Sequence, residues 1–247
     1  MNALILAAGL GTRLGSLTAD KPKALVNVAG RPMLEHQIRK LRGAGFDRII
    51  VNVHHFAVQV KDFLSQSRYS DITVSDESDM LLDTGGGIRK AFHIVSDDSP
   101  LLVHNVDIFS DTDLRMLYLT HVNSGADVTL LTASRTTSRY FYFDDAMRLR
   151  GWGNGNTGET RSPFSGFDKD RCRPLAFQGI HVLSRSALPL LDKVEEKRFS
   201  ITDFYVNCAS QLRLKAIDGS GADWVDAGKP ETLQKAGQIV SKTYNAE

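Results

Sequence analysis

The chain of 247 residues contains little cysteine and no long apolar run. Its two cysteines, Cys172 and Cys208, are not in a Cys-x-x-Cys motif, so a disulfide framework and a cysteine-rich metal site are both disfavoured. Reduced thiols in a cytoplasmic protein are the simplest interpretation. The sequence has no apolar stretch long enough to predict a membrane span, and its first residues lack the basic head of a signal peptide, so we expect no leader.

The chain also lacks an excess of charge of either sign. It has 30 basic and 29 acidic residues, which gives a formal net charge of +1. This balance argues against a protein that binds nucleic acid or a membrane surface by electrostatic attraction. The length is sufficient for one large α/β domain with a substantial core.

The most informative feature that is present is a glycine-rich loop close to the N-terminus. The apolar run Ala3–Ala8 predicts a buried strand, and the loop follows it directly. Glycines allow backbone amides to approach a ligand, and cations neutralise phosphate oxygens, so the loop indicates a polyphosphate site. The glycines and cations of the loop are Gly9, Gly11, Gly15, Arg13, Lys21 and Lys23.

Two common phosphate-binding motifs fit this loop poorly. A Walker loop would end in Gly-Lys-Ser/Thr, which is missing here. A dinucleotide fingerprint would have a glycine where Leu14 stands and an acid at the end of the second strand, where the chain instead has residues 52–55, Asn-Val-His-His. Dehydrogenases and P-loop enzymes are therefore disfavoured.

The first half of the chain alternates strand and helix patterns. This alternation predicts an α/β fold with a mostly parallel sheet covered by helices, in which ligands bind at the carboxyl ends of the strands. The predicted strands are Ala3–Ala8, Arg48–Val53, Ile72–Val74, Leu101–Val103 and Asp127–Thr132, and the predicted helices are Pro32–Arg42, Ala57–Leu64, Gly86–Val95 and Asp111–Ser124.

The pattern changes after residue 135. Tyr140–Phe143 and Met147–Arg150 predict a hairpin, and Gly151–Asp170 predicts a long irregular segment with at most short strands. A regular strand returns at Leu175–Leu183. We interpret this half as an elaboration that forms a second wall of the cleft, within a single domain of residues 1–247.

Asp107 is a candidate ligand for a divalent cation, because it follows a buried strand and is expected to face the cleft. A second aspartate, Asp226, lies in the segment from Trp224 to Glu231. Chemistry on a nucleotide needs a metal ion held by carboxylates, and hard oxygen ligands suit Mg²⁺. Each aspartate could also be explained structurally, Asp107 as a cap and Asp226 as a turn residue.

The glycine loop and the segment around Asp226 resemble the two signatures of sugar-1-phosphate nucleotidylyltransferases. The first is Gly-x-Gly-Thr-Arg-Leu, a spacer and Pro-Lys, which spans residues 9–23 here, and the second is Trp-x-Asp-x-Gly-x-Pro-Glu, at residues 224–231. The triple glycine at 85–87 and the Val-Asn-Val-His-His string at 51–55 resemble the N-acetylmuramate-1-phosphate uridylyltransferases in particular. The resemblance implies a Rossmann-like, glycosyltransferase-A-like nucleotidyltransferase fold.

The resemblance also implies an activity and a set of site residues. A nucleotidyl group would pass from a nucleoside triphosphate, UTP by preference, to a sugar 1-phosphate, with Mg²⁺ as cofactor; residues 1–135 would form the nucleotide-binding half and 136–247 the sugar-phosphate-binding half. Arg13 and Lys23 would be catalytic, and Asp107 and Asp226 would hold the metal. The implied nucleotide-binding residues are Ala7, Ala8, Gly9, Gly11, Thr12, Thr84, Gly85 and Gly86, and the implied sugar-phosphate-binding residues are Asn105, Glu159, Gly179 and Asp203.

The chain departs from the family pattern at two positions. Val106 replaces a glycine before Asp107, and Thr160 replaces the lysine of a Glu-Lys pair, a role for which Arg161 is a candidate substitute. Three alternatives stay open: a guanylyltransferase acting on mannose or heptose 1-phosphate, a phosphocholine cytidylyltransferase, and a non-catalytic sugar-nucleotide sensor. We expect no nucleic-acid or membrane partner, and both a monomer and a homodimer are compatible with the sequence.

Overall fold

The computed structural model describes residues 1–244, and the side chains of residues 1–242. Its central sheet has the strand order β11-β10-β9-β12-β6-β1-β4-β5, and β8 joins β12 to β13. Two small sheets pair β7 with β14 and β2 with β3. The strands are β1 (Asn2–Leu6), β2 (Asn27–Val28), β3 (Arg31–Pro32), β4 (Arg48–Val53), β5 (Ile72–Asp76), β6 (Leu101–Asn105), β7 (Ile108–Ser110), β8 (Val128–Ala133), β9 (Arg139–Phe143), β10 (Leu149–Asn154), β11 (Thr160–Arg161), β12 (Arg173–Leu183), β13 (Leu214–Asp218) and β14 (Trp224–Asp226).

Helices cover both faces of this sheet. Successive side chains of a strand point to opposite faces, so Ala3 and Ile5 of β1 join one apolar core while Leu4 and Leu6 join the other. The first core includes apolar residues of α1, α2, α4 and α7, and the second those of α3, α5 and α6. The helices are α1 (Met33–Gly43), α2 (Ala57–Leu64), α3 (Asp83–Ile94), α4 (Leu114–Ser124), α5 (Leu188–Asp192), α6 (Ile201–Cys208) and α7 (Leu233–Tyr244). Within residues 1–244, no helix is long and apolar enough to cross a membrane.

The strands that carry the glycine loop run parallel. β1 pairs in parallel with β4 on one side and with β6 on the other, and β4 pairs in parallel with β5. The carboxyl ends of these strands therefore meet at one edge, where the loop after β1 lies. This is the mostly parallel α/β architecture that the alternating pattern predicted.

β12 lies in the second half of the chain and pairs with strands of both halves. It is antiparallel to β6 and β8 through its second part, and to β9 through residues 173–175. Its pairing with β8 is interrupted between Phe177 and His181, where Gly179 has a positive φ of 74°. The two halves consequently share one continuous sheet.

The element boundaries agree with most of the sequence predictions, and three of them need correction. α4 begins at Leu114 instead of the predicted Asp111, because Asp113 is its N-cap and accepts from the amide of Met116. α3 begins at Asp83 instead of the predicted Gly86, because the glycines fit inside the helix where they pack closely against another segment. The segment 151–170 is less irregular than predicted, since β10 extends to Asn154 and pairs with β11. The chain forms a 3₁₀ turn at Pro230–Thr232 and becomes α-helical at Leu233.

Candidate active site

The glycine loop is tied to the sheet through Asn52, at the end of β4. The amides of Ala7 and Ala8 donate to Asn52 Oδ1 over 2.7 and 3.3 Å, and Asn52 Nδ2 donates to Glu77 Oε1 over 2.8 Å. Glu77 is 2% exposed and also accepts from the amide of Leu82, at the start of α3. Burial raises the pKa of Glu77 in spite of these donors. The loop and α3 thus have a common anchor beside the cleft.

The backbone of the loop turns sharply at Gly11. This residue has a φ of 69°, and a Cβ on it would lie 3.0 Å from Lys23 Cβ and 3.1 Å from Thr18 Cγ2. Thr18 Oγ1 donates to the carbonyl oxygens of Gly11 and Gly15, and these hydrogen bonds connect the end of the 3₁₀ segment Thr12–Thr18 to its start and its middle. The sequence needs glycine here for conformation and for space.

Four charged side chains meet next to this loop. Lys23 Nζ lies 2.8 Å from Asp107 Oδ2, Arg13 Nη1 lies 3.2 Å from Asp226 Oδ2, and Arg13 Nη2 lies 3.7 Å from Asp107 Oδ2. The two cations and two carboxylates balance in charge. Arg13, Lys23, Asp107 and Asp226, which the sequence assigned to catalysis and metal binding, are therefore brought together, and we call them the charged cluster.

The pairing of β7 with β14 joins the two aspartates. Asp226 lies opposite Ile108 in this pair, and the amide of Ala227 donates to the carbonyl oxygen of Asp107 over 2.8 Å. Gly228 fits beside the cluster, since a Cβ there would be 2.7 Å from Asp226 Oδ1. Val106, the departure from the family pattern, is fully buried in the first core, and its amide donates to Leu6.

Asp107 remains a carboxylate although it is buried. The residue is 5% exposed, and burial alone would raise its pKa. The charge of Lys23 and its hydrogen bond outweigh that effect, and Arg13 contributes further, so the pKa of Asp107 lies below its ordinary value. An ionised carboxylate next to a phosphate loop can hold a cation.

Two cavities meet at the charged cluster. The smaller, of about 450 Å³, is lined by the glycine loop, Asn105, Asp107 and the start of α3. The larger, of about 1170 Å³, is lined by β9–β11, Trp152, Trp224, Glu159 and Asp203. Arg13 and Asp226 line both. Of the predicted nucleotide-binding residues, Ala8, Gly9, Gly11, Thr12 and Thr84 line the smaller cavity, whereas Ala7, Gly85 and Gly86 do not.

The triple glycine packs against the segment that leads into α6. A Cβ on Gly85 would overlap the ring of Phe199, and one on Gly86 would overlap the carbonyl oxygen of Lys197. The amide of Gly85 donates to Phe199, and Thr84 Oγ1 accepts from the amide of Ile201. Close packing therefore explains why glycine is needed at both positions, whether or not either residue contacts a nucleotide. Asp83 and Thr84 are the residues of this turn that face the smaller cavity.

On the other side of the cluster, Arg161 joins the two predicted acidic residues. Its Nη1 lies 2.7 Å from Asp203 Oδ1 and its Nε lies 3.3 Å from Glu159 Oε1, while its guanidinium stacks 4.2 Å from the Trp152 ring. The larger cavity therefore has an aromatic wall with ordered charges. Asn105 and Gly179 also lie together, since a Cβ on Gly179 would be 2.9 Å from Asn105 Nδ2.

Sequence reasoning missed several residues of the site. Asn52 was noticed only as a replacement for an acid, and its position at a strand end was the available signal. Glu77, Trp152 and Arg135, which also lines the larger cavity, had no signal of their own, because their positions depend on contacts between distant segments. Trp224 could be identified only as the first residue of the second signature. Lys21, counted among the loop cations, is exposed and lines neither cavity.

Within residues 1–244 no group of three or more His, Cys, Asp or Glu side chains could hold a metal ion. Asp107 and Asp226 are thus two carboxylates without a third. This donor set still fits Mg²⁺, which commonly takes one or two carboxylates and completes its shell with water and substrate phosphates.

Comparisons with known proteins show the family of the chain. The model of the MobA-like NTP transferase domain matches residues 3–200. An N-acetylmuramate alpha-1-phosphate uridylyltransferase of Caulobacter vibrioides is 28% identical over 93% of this chain and 92% of its own length, and one of Neisseria meningitidis is 30% identical over 91% and 100%. A mannose-1-phosphate guanyltransferase of Gibberella zeae is 29% identical over 94% of this chain and 62% of its own length.

Solved structures show the same fold. HddC from Yersinia pseudotuberculosis, complexed with GMP-PN, has a TM-score of 0.74 at 22% identity, covering 97% of this chain and 99% of its own. A putative glucose-1-phosphate thymidylyltransferase from Bacillus anthracis has a TM-score of 0.79 at 19% identity, over 97% and 94%. The chain belongs to the MobA-like NTP transferase family and is a nucleotidyltransferase, as the sequence resemblance predicted.

Proposed function

We propose that this member of the MobA-like NTP transferase family transfers a uridylyl group from UTP to a sugar 1-phosphate and releases pyrophosphate. The observation that carries the proposal is the charged cluster, because Arg13 and Asp226 border both cavities. A nucleotide in the smaller cavity and a sugar phosphate in the larger one would meet at these side chains. Proximity and orientation of this kind supply much of the catalysis in phosphoryl-type transfers.

The reaction needs no covalent intermediate on the protein. An anionic oxygen of the acceptor's phosphate forms a bond to the α-phosphorus, and the bond from that phosphorus to the β-bridging oxygen breaks. The electron pair leaves with pyrophosphate, and no proton has to be removed from the nucleophile. The protein has to align the two reactants and offset the negative charge between them.

Lys23 is suited to contact the α-phosphate and the incoming phosphate. Its ammonium has three donors, one of which is directed at Asp107, and it lies near the backbone of Gly9, where a Cβ would be 3.7 Å from Nζ. Arg13 is suited to the departing phosphates, because its planar guanidinium can bind two oxygens at once. The carboxylates hold both cations in position before a nucleotide arrives.

Asp107 and Asp226 are the residues that would hold Mg²⁺. The metal, when bound, would neutralise part of the charge on the triphosphate. Arg13 contacts both carboxylates. To bind phosphate oxygens, it would either contact them in addition to the carboxylates or exchange the carboxylates for them. We therefore expect activity to depend on a divalent cation and to stop in excess chelator.

The choice of UTP rests on the two uridylyltransferases among the relatives and on the Thr-Gly-Gly-Gly string at residues 84–87. GTP is the second candidate donor, and one observation favours it. Asp83 has a φ of 59° and lines the smaller cavity, where a carboxylate could accept from the ring N–H and the amino group of guanine. Uracil offers a single ring N–H to such an acceptor.

On the acceptor side, we propose an N-acetylated or otherwise bulky hexose 1-phosphate. The cavity of about 1170 Å³ is larger than the range of about 300–1,000 Å³ that is usual for ligand pockets. Glu159 and Asp203 can accept hydrogen bonds from sugar hydroxyls, and Trp152 offers an apolar wall. A site built around such acceptors discriminates against compounds that leave them unpaired.

The decisive experiment is a pyrophosphate-release screen. ATP, GTP, CTP, UTP and dTTP would each be combined with a panel of sugar 1-phosphates and with phosphocholine, with D107N as the inactive matched control. We expect the highest kcat/KM with UTP and an N-acetylated hexose 1-phosphate. Turnover with GTP and mannose 1-phosphate but not with UTP would overturn the donor assignment. Nucleotide binding without turnover of any pair would instead indicate a sensor.

We further propose that the enzyme works in the cytoplasm, where its substrates are made and where Cys172 and Cys208, which are not joined in a disulfide, would stay reduced. Both a monomer and a homodimer agree with the proposal, because all members of the charged cluster come from one chain. Light scattering on the purified protein would decide between the two.

A further inference from the structure

The larger cavity has more cationic than acidic side chains. Three acids, Glu159, Asp203 and Asp226, line it, and each of them already faces an arginine. The cations that line it are Arg13, Arg135, Arg139, Arg161, Lys229 and Lys235. An excess of positive charge in a cavity indicates an anionic ligand.

Arg135 differs from Arg13 and Arg161, two other arginines that line the larger cavity, in its lack of a carboxylate partner among the described residues. Arg13 and Arg161 contact carboxylates, whereas no carboxylate of the described residues lies within ion-pair distance of Arg135. One of its contacts is a hydrogen bond from Nη2 to the carbonyl oxygen of Phe177, at 3.3 Å. Its Nε is buried and has no hydrogen-bond partner among the described residues. A half-buried guanidinium with an unused donor is costly unless something pairs with it.

The position of Arg135 is fixed by aromatic stacking. Its guanidinium carbon lies 4.3 Å from the centre of the Trp224 ring, and Trp224 is itself held by a hydrogen bond of 2.9 Å from Nε1 to the carbonyl oxygen of Gln178. The carbonyls of Phe177 and Gln178 lie next to the irregularity of β12 at Gly179, where pairing with β8 is interrupted. Beside this irregularity, the carbonyl oxygens of Phe177 and Gln178 accept from Arg135 and Trp224 and orient the two side chains.

We propose that Arg135 binds an oxyanion of the acceptor, a phosphate or a carboxylate, in place of the lysine that the family pattern has at position 160. Arg161, the candidate that the sequence suggested, is already engaged by Glu159 and Asp203. Arg135 lines the larger cavity together with Asp226, and its Nη1 makes no hydrogen bond to the described residues, so this end of the guanidinium can donate to an oxyanion. The inference rests on the proposed transfer to a sugar 1-phosphate.

The test compares R135Q and R135A with the wild-type enzyme in steady-state kinetics. Glutamine keeps a donor for the carbonyl oxygen of Phe177 but removes the charge. Weaker binding of the acceptor in both variants would therefore not be explained by loss of the backbone contact. We expect the acceptor KM to rise about 10- to 100-fold, as for loss of a hydrogen bond to a charged group, while the KM for the triphosphate changes less than about 2-fold. R150A is the matched control, because Arg150 stacks on Phe164 and lines neither cavity.

Two acceptors distinguish the source of the oxyanion. If Arg135 binds the phosphate, the KM values for glucose 1-phosphate and glucuronic acid 1-phosphate should rise together; if it binds a ring carboxylate, only the second should rise. An equal rise in the KM for UTP and for the acceptor, or no rise, would overturn the inference. If the wild-type enzyme turns over no pair, the proposed function fails first, and Arg135 is then tested by whether glucose 1-phosphate raises the melting temperature of the wild type more than that of R135Q.

Discussion

Acidification should weaken the folded state strongly before the carboxylates titrate, because burial lowers the pKa of four histidines: that of His36, and by more those of His104, His121 and His181. His104 and His181 lie on the adjacent strands β6 and β12 and are 0% and 1% exposed, and His121 is 1% exposed. Burial lowers the pKa of His104 and of His181 to about 3, and that of His121 to about 4. Lys40 adds to the effect on His104, and His104 to that on His181.

The direction follows from the difference between the folded and unfolded states. Each folded-state pKa is below the unfolded value of 6.5, so the stability is complete above about pH 6.5 and is lost as the pH falls toward the folded-state pKa. Between about pH 7.5 and about pH 5, each of His104, His121 and His181 should reduce the free energy of unfolding by about 2 kcal/mol. The three together give about 6 kcal/mol, a large part of the about 5–15 kcal/mol typical of a folded protein.

The loss of free energy of unfolding can be measured by urea unfolding, followed by tryptophan fluorescence, at several pH values between these limits. H181F should reduce this loss by about 2 kcal/mol, because that variant no longer has the ring that titrates. H93Q is the surface control, because His93 is exposed in the folded state and contacts Asp192 there instead of the core. Glu77, whose pKa burial raises, acts in the opposite sense, because its protonation on acidification favours the folded state. A free energy of unfolding that stays flat down to about pH 5 would refute the reasoning.

Two substitutions test other parts of the structure. R13K should lower kcat about 10²- to 10³-fold, because an ammonium cannot reproduce the planar contact that Arg13 makes with Asp226 and is suited to make with phosphate; wild-type kcat at saturating substrates would remove Arg13 from the leaving-group role. G86A should lower the free energy of unfolding by about 1–3 kcal/mol, because the new Cβ meets a backbone carbonyl. G43A is its control, since Gly43 is a helical glycine with open space around it, and alanine there should stabilise by up to about 1 kcal/mol in thermal or urea unfolding.

The sequence was most informative where local pattern decides the structure. Arg48–Val53 and Ala57–Leu64 form the strand and the helix with the predicted bounds, because β-branched residues and a helical apolar spacing act within a few residues. β7 and β14 were not predicted. Each has three residues, and each is stabilised by pairing with the other across more than a hundred positions of the chain. A local pattern contains no information about such a partner.

The same limit applies to the site. The glycine loop, Asp107 and Asp226 could be identified because their motifs are contiguous. Their pairing with Lys23 and Arg13 follows from the strand topology. The engagement of Arg161 with two acids could not be read from the sequence, since it depends on how the segment 159–161 lies relative to α6.

The shared strand β12 has a consequence for the order of folding. β6 has β1 on one side and β12 on the other, and β12 follows it by about seventy residues of chain. A ribosome that has released only the first half presents β6 with one edge unpaired, and such an edge can pair with other chains. The open edge of β6 is covered only when residue 183 has been made, and the sheet is complete only with β13, so we expect folding to be slow and to occur after synthesis of both halves. The topology that joins the two cavities therefore also makes the first half dependent on the second for protection from aggregation.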